Sequence, residues 1–158
     1  MDRRLSVLLA GAVVALAVSG CARSTAVPKI DLDPLDVSAF ATQPCQLLAP
    51  WRASRRHLVP PGAPDADGCH WQPSAAAFPP ITAGVTLGSG VPDLQRRQAE
   101  FPFFQLTDID HYPAVQTAGT ADGPRNGHCT VHVGVSGNST VDVSADYPKV
   151  SRGNGLSA

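Results

Sequence analysis

Glutamate occurs once, at Glu100, and lysine is scarce beside arginine. With a single Glu and no carboxylate pair standing out, the two-carboxylate chemistry of glycoside hydrolysis has no candidates. Basic charge is also missing: Lys+Arg number 12 against 13 Asp+Glu, a formal net charge of −1. No electrostatic footprint for nucleic acid follows from that balance. Arg55-Arg56 and Arg96-Arg97 are the only basic doublets beyond the first residues, and each reads as a solvated surface feature. After Val18 no apolar run approaches the roughly 20 residues of a membrane span, and no internal repeat is visible. Proline and glycine, by contrast, are plentiful at 15 and 14, which argues for strands joined by turns over a helical bundle.

The chain begins with a patterned segment. Arg3 and Arg4 give a basic start, residues 5–18 form an apolar run, and Val18-Ser19-Gly20 brings small residues up to Cys21. Positive, apolar, then small is the order of a secretory signal, and the run is too short to span a bilayer comfortably. The small-small-Cys ending resembles the lipobox of bacterial lipoproteins. That resemblance implies a signal peptide over residues 1–20, a diacylglyceryl group on the Cys21 sulfur, and a lipid-anchored protein on the extracytoplasmic side of a cell membrane. Residues 21–36, with Pro28, Pro34 and no helix or strand period, read as the lipidated N-terminus and a flexible tether.

The domain is expected over residues 37–146. Pro44-Cys45-Gln46-Leu47-Leu48 looks like the first turn of a short helix, with Pro at the start where it is tolerated. Residues 53–67 read as loop. Gly68-Cys69-His70-Trp71-Gln72 starts a short strand with Cys69 and Trp71 on one face. Ile81, Ala83, Val85 and Leu87 alternate with smaller or polar residues, the period of a half-buried strand. Residues 92–101 suit a helix whose inner side carries Leu94, Gln98 and Phe101. Residues 103–107 and 112–118 are candidate strands around a polar turn. Cys129, Val131, Val133 and Val135 then alternate up to the turn Ser136-Gly137-Asn138, with Val141 and Val143 returning, a hairpin. Residues 147–158 read as a loose tail. Together these predict an α+β domain: an antiparallel sheet of about five strands with one or two short helices packed on one face.

Pro44-Cys45-Gln46-Leu47-Leu48, Gly68-Cys69-His70-Trp71, Asp110-His111-Tyr112-Pro113-Ala114 and Cys129-Thr130-Val131, following a lipobox, resemble actinobacterial lipoproteins catalogued as domain of unknown function 3558. The resemblance implies an extracytoplasmic lipoprotein and supplies no activity or ligand. Members usually continue past the hairpin into a helix with a further cysteine, whereas this chain continues in a polar tail to Ala158, a departure that removes the obvious partner for Cys129. Four cysteines are present. With Cys21 acylated, three remain in an environment where disulfides persist. The expected pairing is Cys45–Cys69, closing a Pro-rich loop for roughly 3 kcal/mol in the chain-entropy model, with Cys129 a thiol among valines. The rival is Cys69–Cys129, joining two strands.

Other chemistry is thinly represented. His128-Cys129-x-x-His132 carries zinc-type ligands, but on a strand Cys129 faces away from His128 and His132, and no metal or cofactor is expected. Gly134-Val135-Ser136-Gly137-Asn138 lacks the last glycine of a nucleophile elbow and sits in a hairpin turn. Gly88-Ser89-Gly90 is a strand breaker and not a dinucleotide loop. Asp108-Ile109-Asp110 lacks the rest of a calcium loop. Trp51 and Trp71 are candidates for an apolar ligand site, with core packing the plainer expectation. No nucleophile, base and orienting group assemble from recognisable spacing. The expected function is a non-catalytic, membrane-anchored binding or envelope-accessory protein, with an unknown envelope protein or small apolar ligand as partner and no nucleic acid. The alternatives are a carrier of an apolar molecule or lipid, a small secreted hydrolase using Ser136, and a degenerate family member.

Overall fold

The computed structural model describes residues 32–146. The expected signal over residues 1–20, the lipidation site Cys21 and the tail over residues 147–158 lie outside the described residues, as does most of the expected tether. The described residues contain seven strands: β1 (Ala63–Asp65), β2 (Gly68–Trp71), β3 (Ile81–Leu87), β4 (Phe103–Ile109), β5 (Tyr112–Ala118), β6 (His128–Ser136) and β7 (Ser139–Asp146). They form one antiparallel sheet in the order β1-β2-β3-β7-β6-β5-β4. Among the described residues there are also three short helices, α1 (Ser38–Thr42), α2 (Pro50–Arg55) and α3 (Val91–Arg96), and 3-10 turns at Pro44–Leu47, Gln98–Glu100 and Gly123–Asn126.

The fold is therefore mainly β, which corrects the expected α+β domain of about five strands with helices on one face. Strand β1 was hidden in a stretch that reads as loop. Pro64 lies within it, and a proline is tolerated there because β1 is an edge strand with only β2 as neighbour. The helices are five or six residues long, too short to lay an apolar stripe across seven strands. They instead cover the sheet in two patches, one on each face. The expected helix over residues 92–101 divides into α3 and a 3-10 turn, and Gln98 is exposed rather than inward.

Register shows which residues share a face. Cys69 pairs with Ala83, Ala83 with Val143, and Val143 with Val131, so these four stand side by side on one face. One residue along, Gly84, Asp142, His132, Val115 and Leu106 stand side by side on the other. On the first face, Ala53 of α2 and Leu58 pack against Cys69, Trp71 and Ala83, with Cys45 and Leu47 of the 3-10 turn and Leu48 just after it around them. On the second face, Val91 and Leu94 of α3 pack against Val115, with Phe101, Phe104 and Leu106 at the margin. The first core sits over β2 and β3, the second over β5 and β4.

The N-terminal segment joins the sheet before α1. Leu35 N–H donates to the Val135 carbonyl at 2.9 Å, and Val37 is buried. At the far end, the β4–β5 hairpin closes through Asp110 and His111, both left-handed with φ of 48° and 67°, as a two-residue turn with both central residues at positive φ requires.

Candidate functional site

The Cys45–Cys69 disulfide forms, with the two Cα atoms 4.9 Å apart. It ties the Pro44–Leu47 turn to β2, and so holds Leu47 and Leu48 above the first face. The rival Cys69–Cys129 pairing is excluded by topology. Between β2 and β6 stand β3 and β7, a separation of about 14 Å at the usual strand spacing, roughly twice the reach of a disulfide. Cys129 is a free, half-buried thiol. Gly62 is needed beside the bridge, because a Cβ there would collide with the Cys69 sulfur and the Trp71 indole.

Against the turn, with Leu47 in its lining, is an open groove of about 670 Å3. Its floor is sheet: Trp71, Ile81, Ala83, Val141 and Val143. Leu47, Leu48, Leu58 and Phe78 line it as well. Arg55, Arg56 and His57 complete the lining, and all three are exposed. The lining is apolar on the sheet and carries its cationic groups on the exposed end of α2.

Local chemistry at the end of α2 explains that placement. His57 N–H donates to the Ser54 carbonyl at 3.2 Å and Leu58 N–H to the Ala53 carbonyl at 3.0 Å. This pair of bonds is the Schellman closure, which places the following apolar residue against the helix. Leu58 duly enters the core beside Ala53. The closure needs a left-handed residue, and His57 supplies it at φ 59° where glycine is usual. Its ring lies 4.4 Å from Phe78 and nearly parallel to it. Ser74 N–H donates to the His57 carbonyl at 2.7 Å and Val59 N–H to the Gln72 carbonyl at 2.8 Å. The loop carrying Phe78 is thereby fastened to the helix end, and the two together make one wall.

The tryptophans divide between two environments. Trp71 is buried at 1% exposure and serves both core and groove floor. Trp51 is 57% exposed, contrary to its expected core packing. Arg52 and Arg55 lie 5.0 and 5.4 Å from its ring centroid. Pro50 and Trp51 open α2, and the indole stays outside because Ala53 is the only buried residue of that helix.

The opposite face carries a polar network that no linear motif announces. His132 Nδ1 donates to Asp142 Oδ1 at 2.7 Å, and Thr86 Oγ1 donates to Asp142 Oδ2 at 2.6 Å. His132 Nε2 shares a hydrogen bond with Thr117 Oγ1 at 3.1 Å, accepting the hydroxyl proton when the ring is neutral. Burial pushes the Asp142 carboxyl up. Hydrogen bonds from His132, Thr86 and Thr140, with the attraction of His132, outweigh it and hold Asp142 below the ordinary carboxylate value. Thr117, His132 and Asp142 have the connectivity of a nucleophile–base–acid relay. Thr117, however, is 4% exposed. It also lies in a strand paired on both sides, so the backbone N–H groups around it are engaged in ladders and supply no oxyanion donors.

The remaining candidates are dispersed. Ser136 lies in the β6–β7 turn, where its hydroxyl donates to Asn138 Oδ1 at 3.0 Å. His128 is paired with Asp146 at the surface. Among the described residues no group of three or more His, Cys, Asp or Glu side chains could hold a metal ion, and no helix is long and apolar enough to cross a membrane.

A family model described as a protein of unknown function, DUF3558, matches residues 16–156. No curated protein and no solved structure matches the chain.

Proposed function

The chain belongs to the DUF3558 family of proteins of unknown function, and we propose that it is a lipid-anchored, extracytoplasmic binding protein whose groove takes one apolar small molecule or lipid chain. The observation that carries this reading is the apolar groove of about 670 Å3, within the range of about 300–1,000 Å3 typical of small-molecule sites. A floor of valine, isoleucine, alanine and tryptophan offers dispersion contacts and few hydrogen bonds, so it favours a ligand defined by apolar surface. The Cys45–Cys69 bridge fastens one part of the lining and the His57–Phe78 stack another, so the groove is built before a ligand arrives, which lowers the ordering cost of binding.

The anchor rests on the basic, apolar and small-residue order that ends at Cys21. A binding role without catalysis is supported by the shielding of Thr117 and by the placing of Ser136 in a hairpin turn. Acylation would keep the domain beside a bilayer, which is where an apolar ligand of low aqueous solubility would be met.

The test is organic extraction of the purified full-length protein, followed by mass spectrometry of what is released. An apolar species near one per chain is expected, and it should be lost from a Val141→Phe/Val143→Phe variant whose cooperative unfolding is retained. No released species, or equal amounts from both proteins, would overturn the reading. For the anchor, Cys21→Ala should abolish palmitate labelling and release the chain from membranes; persistent labelling would remove that part.

A further inference from the structure

We infer that the ligand of this groove is a single-chain lipid with an anionic head, a long-chain carboxylate, held at its charged end by Arg55 and Arg56. The inference rests on the groove reading above and adds to it the chemistry of the ligand's head. Three observations point the same way. The groove lining contains two arginines and a histidine and no Asp or Glu. None of the ion pairs among the described residues involves Arg52, Arg55 or Arg56. The apolar lining comes largely from the sheet (Trp71, Ile81, Ala83, Val141 and Val143), whereas the two arginines and the histidine follow one another at the end of α2, so the cationic groups are gathered at one place in the lining.

The last turn of α2 is itself a reason to find cations there, since arginine compensates the negative end of a helix. That accounts for their place on the helix and not for their lining a groove. Arg55 is steadied against the Trp51 ring at 5.4 Å, and Arg56 has no side-chain partner among those described. Guanidinium groups match a carboxylate in shape, because two parallel N–H donors meet two oxygens. A neutral lipid would fill the floor and leave both guanidiniums in water. An anionic one satisfies both ends of the site. One acyl chain suits a single groove of this volume, and its head would emerge where the arginines stand.

The full-length protein in phosphatidylcholine nanodiscs provides the test. It is photolabelled at alkaline pH with a diazirine-bearing hexadecanoic acid and, separately, with the alcohol of the same chain. Labelling of the peptide carrying Val141 and Val143 is read by mass spectrometry, at equal probe content in the disc. The acid is expected to label about five-fold more than the alcohol, the discrimination that two exposed charge contacts can give. Arg55→Gln/Arg56→Gln should bring the two probes level, and Arg55→Lys/Arg56→Lys, which keeps the charge and loses the paired donors, should keep only part of the preference. Labelling by the alcohol shows that the groove is intact in each variant. Equal labelling by both probes in the unmodified protein, or an unchanged preference in the glutamine variant, would overturn the anionic head while leaving the groove reading in place. Failure of both probes to reach the peptide would overturn the groove reading and this inference with it.

Discussion

At the scale of single residues, Asp142 is the side chain whose environment has the clearest consequence for stability. It is three-quarters hidden, with 22% of its side chain exposed, and accepts hydrogen bonds from His132 and Thr86. Its carboxyl is held below the ordinary value in the folded protein, so the unfolded chain binds the proton more readily. The contribution of Asp142 is therefore fully present above the ordinary carboxylate value of about 3.9 and is lost as pH falls through the lower folded value. Asp142→Asn removes the charge while keeping the shape. It should destabilise the protein at neutral pH by about 1–3 kcal/mol, the range for a hydrogen bond to a charged group and its unsatisfied partner. The gap between the two proteins should narrow below about pH 4. Denaturant titrations at neutral pH and near pH 3 measure both quantities; a gap of constant size would mean that the ionised carboxylate is not what matters.

At the scale of elements, the disulfide links the Pro44–Leu47 turn to β2 across 24 residues of sequence. Loop closure of that length stabilises by about 3 kcal/mol in the chain-entropy model. Cys45→Ala/Cys69→Ala should cost about 2–5 kcal/mol in unfolding free energy. It should also weaken capture of apolar ligand more than Asp142→Asn does, because Leu47 and Leu48 lose their tie to the sheet. Extraction of the two variants alongside the parent checks that order. The bridge, whose cysteines stand 24 residues apart, was expected only by way of the family resemblance, with Cys69–Cys129 as its rival. The alternation of β2 and β3 and the β6–β7 hairpin were legible in the sequence, since each is a local pattern. Strand β1 was not, because proline at an edge looks the same as proline in a loop. The His132–Asp142 contact depends on cross-strand register with an irregularity between Gly134 and Ser136. A slip of one residue would send every side chain of the strand to the other face. The groove was hidden for a related reason: its lining comes from the 3-10 turn, the end of α2, the Phe78 loop and strands β2, β3 and β7, which no single stretch of sequence brings together.

At the scale of the whole molecule, the two apolar cores sit on opposite faces of one sheet and at opposite halves of it. Leu58 belongs to the core beneath the groove and Leu94 to the core under α3, and the two clusters have no residue in common. The sheet runs between them: Val143 of β7 packs against the first cluster, and Val91 of the second lies close to Gly134 of β6. Leu58→Ala and Leu94→Ala should each cost about 2–5 kcal/mol, with Leu58 at the higher end because it is 3% exposed against 9% for Leu94. Their combined cost should equal the sum within about 0.5 kcal/mol, as for sites that share no partners. The functional readouts should separate more sharply than the stabilities. Leu58→Ala enlarges the groove and loosens the wall that carries Phe78, so it should change which chain lengths the protein retains. Leu94→Ala acts on the far face and should leave that selection as it was. Chemical denaturation of the three variants, with extraction of bound lipid from the two single ones, tests both halves of this expectation. Coupling well beyond additivity would mean that the sheet transmits strain from one core to the other, and that the groove responds to packing on the face it does not touch.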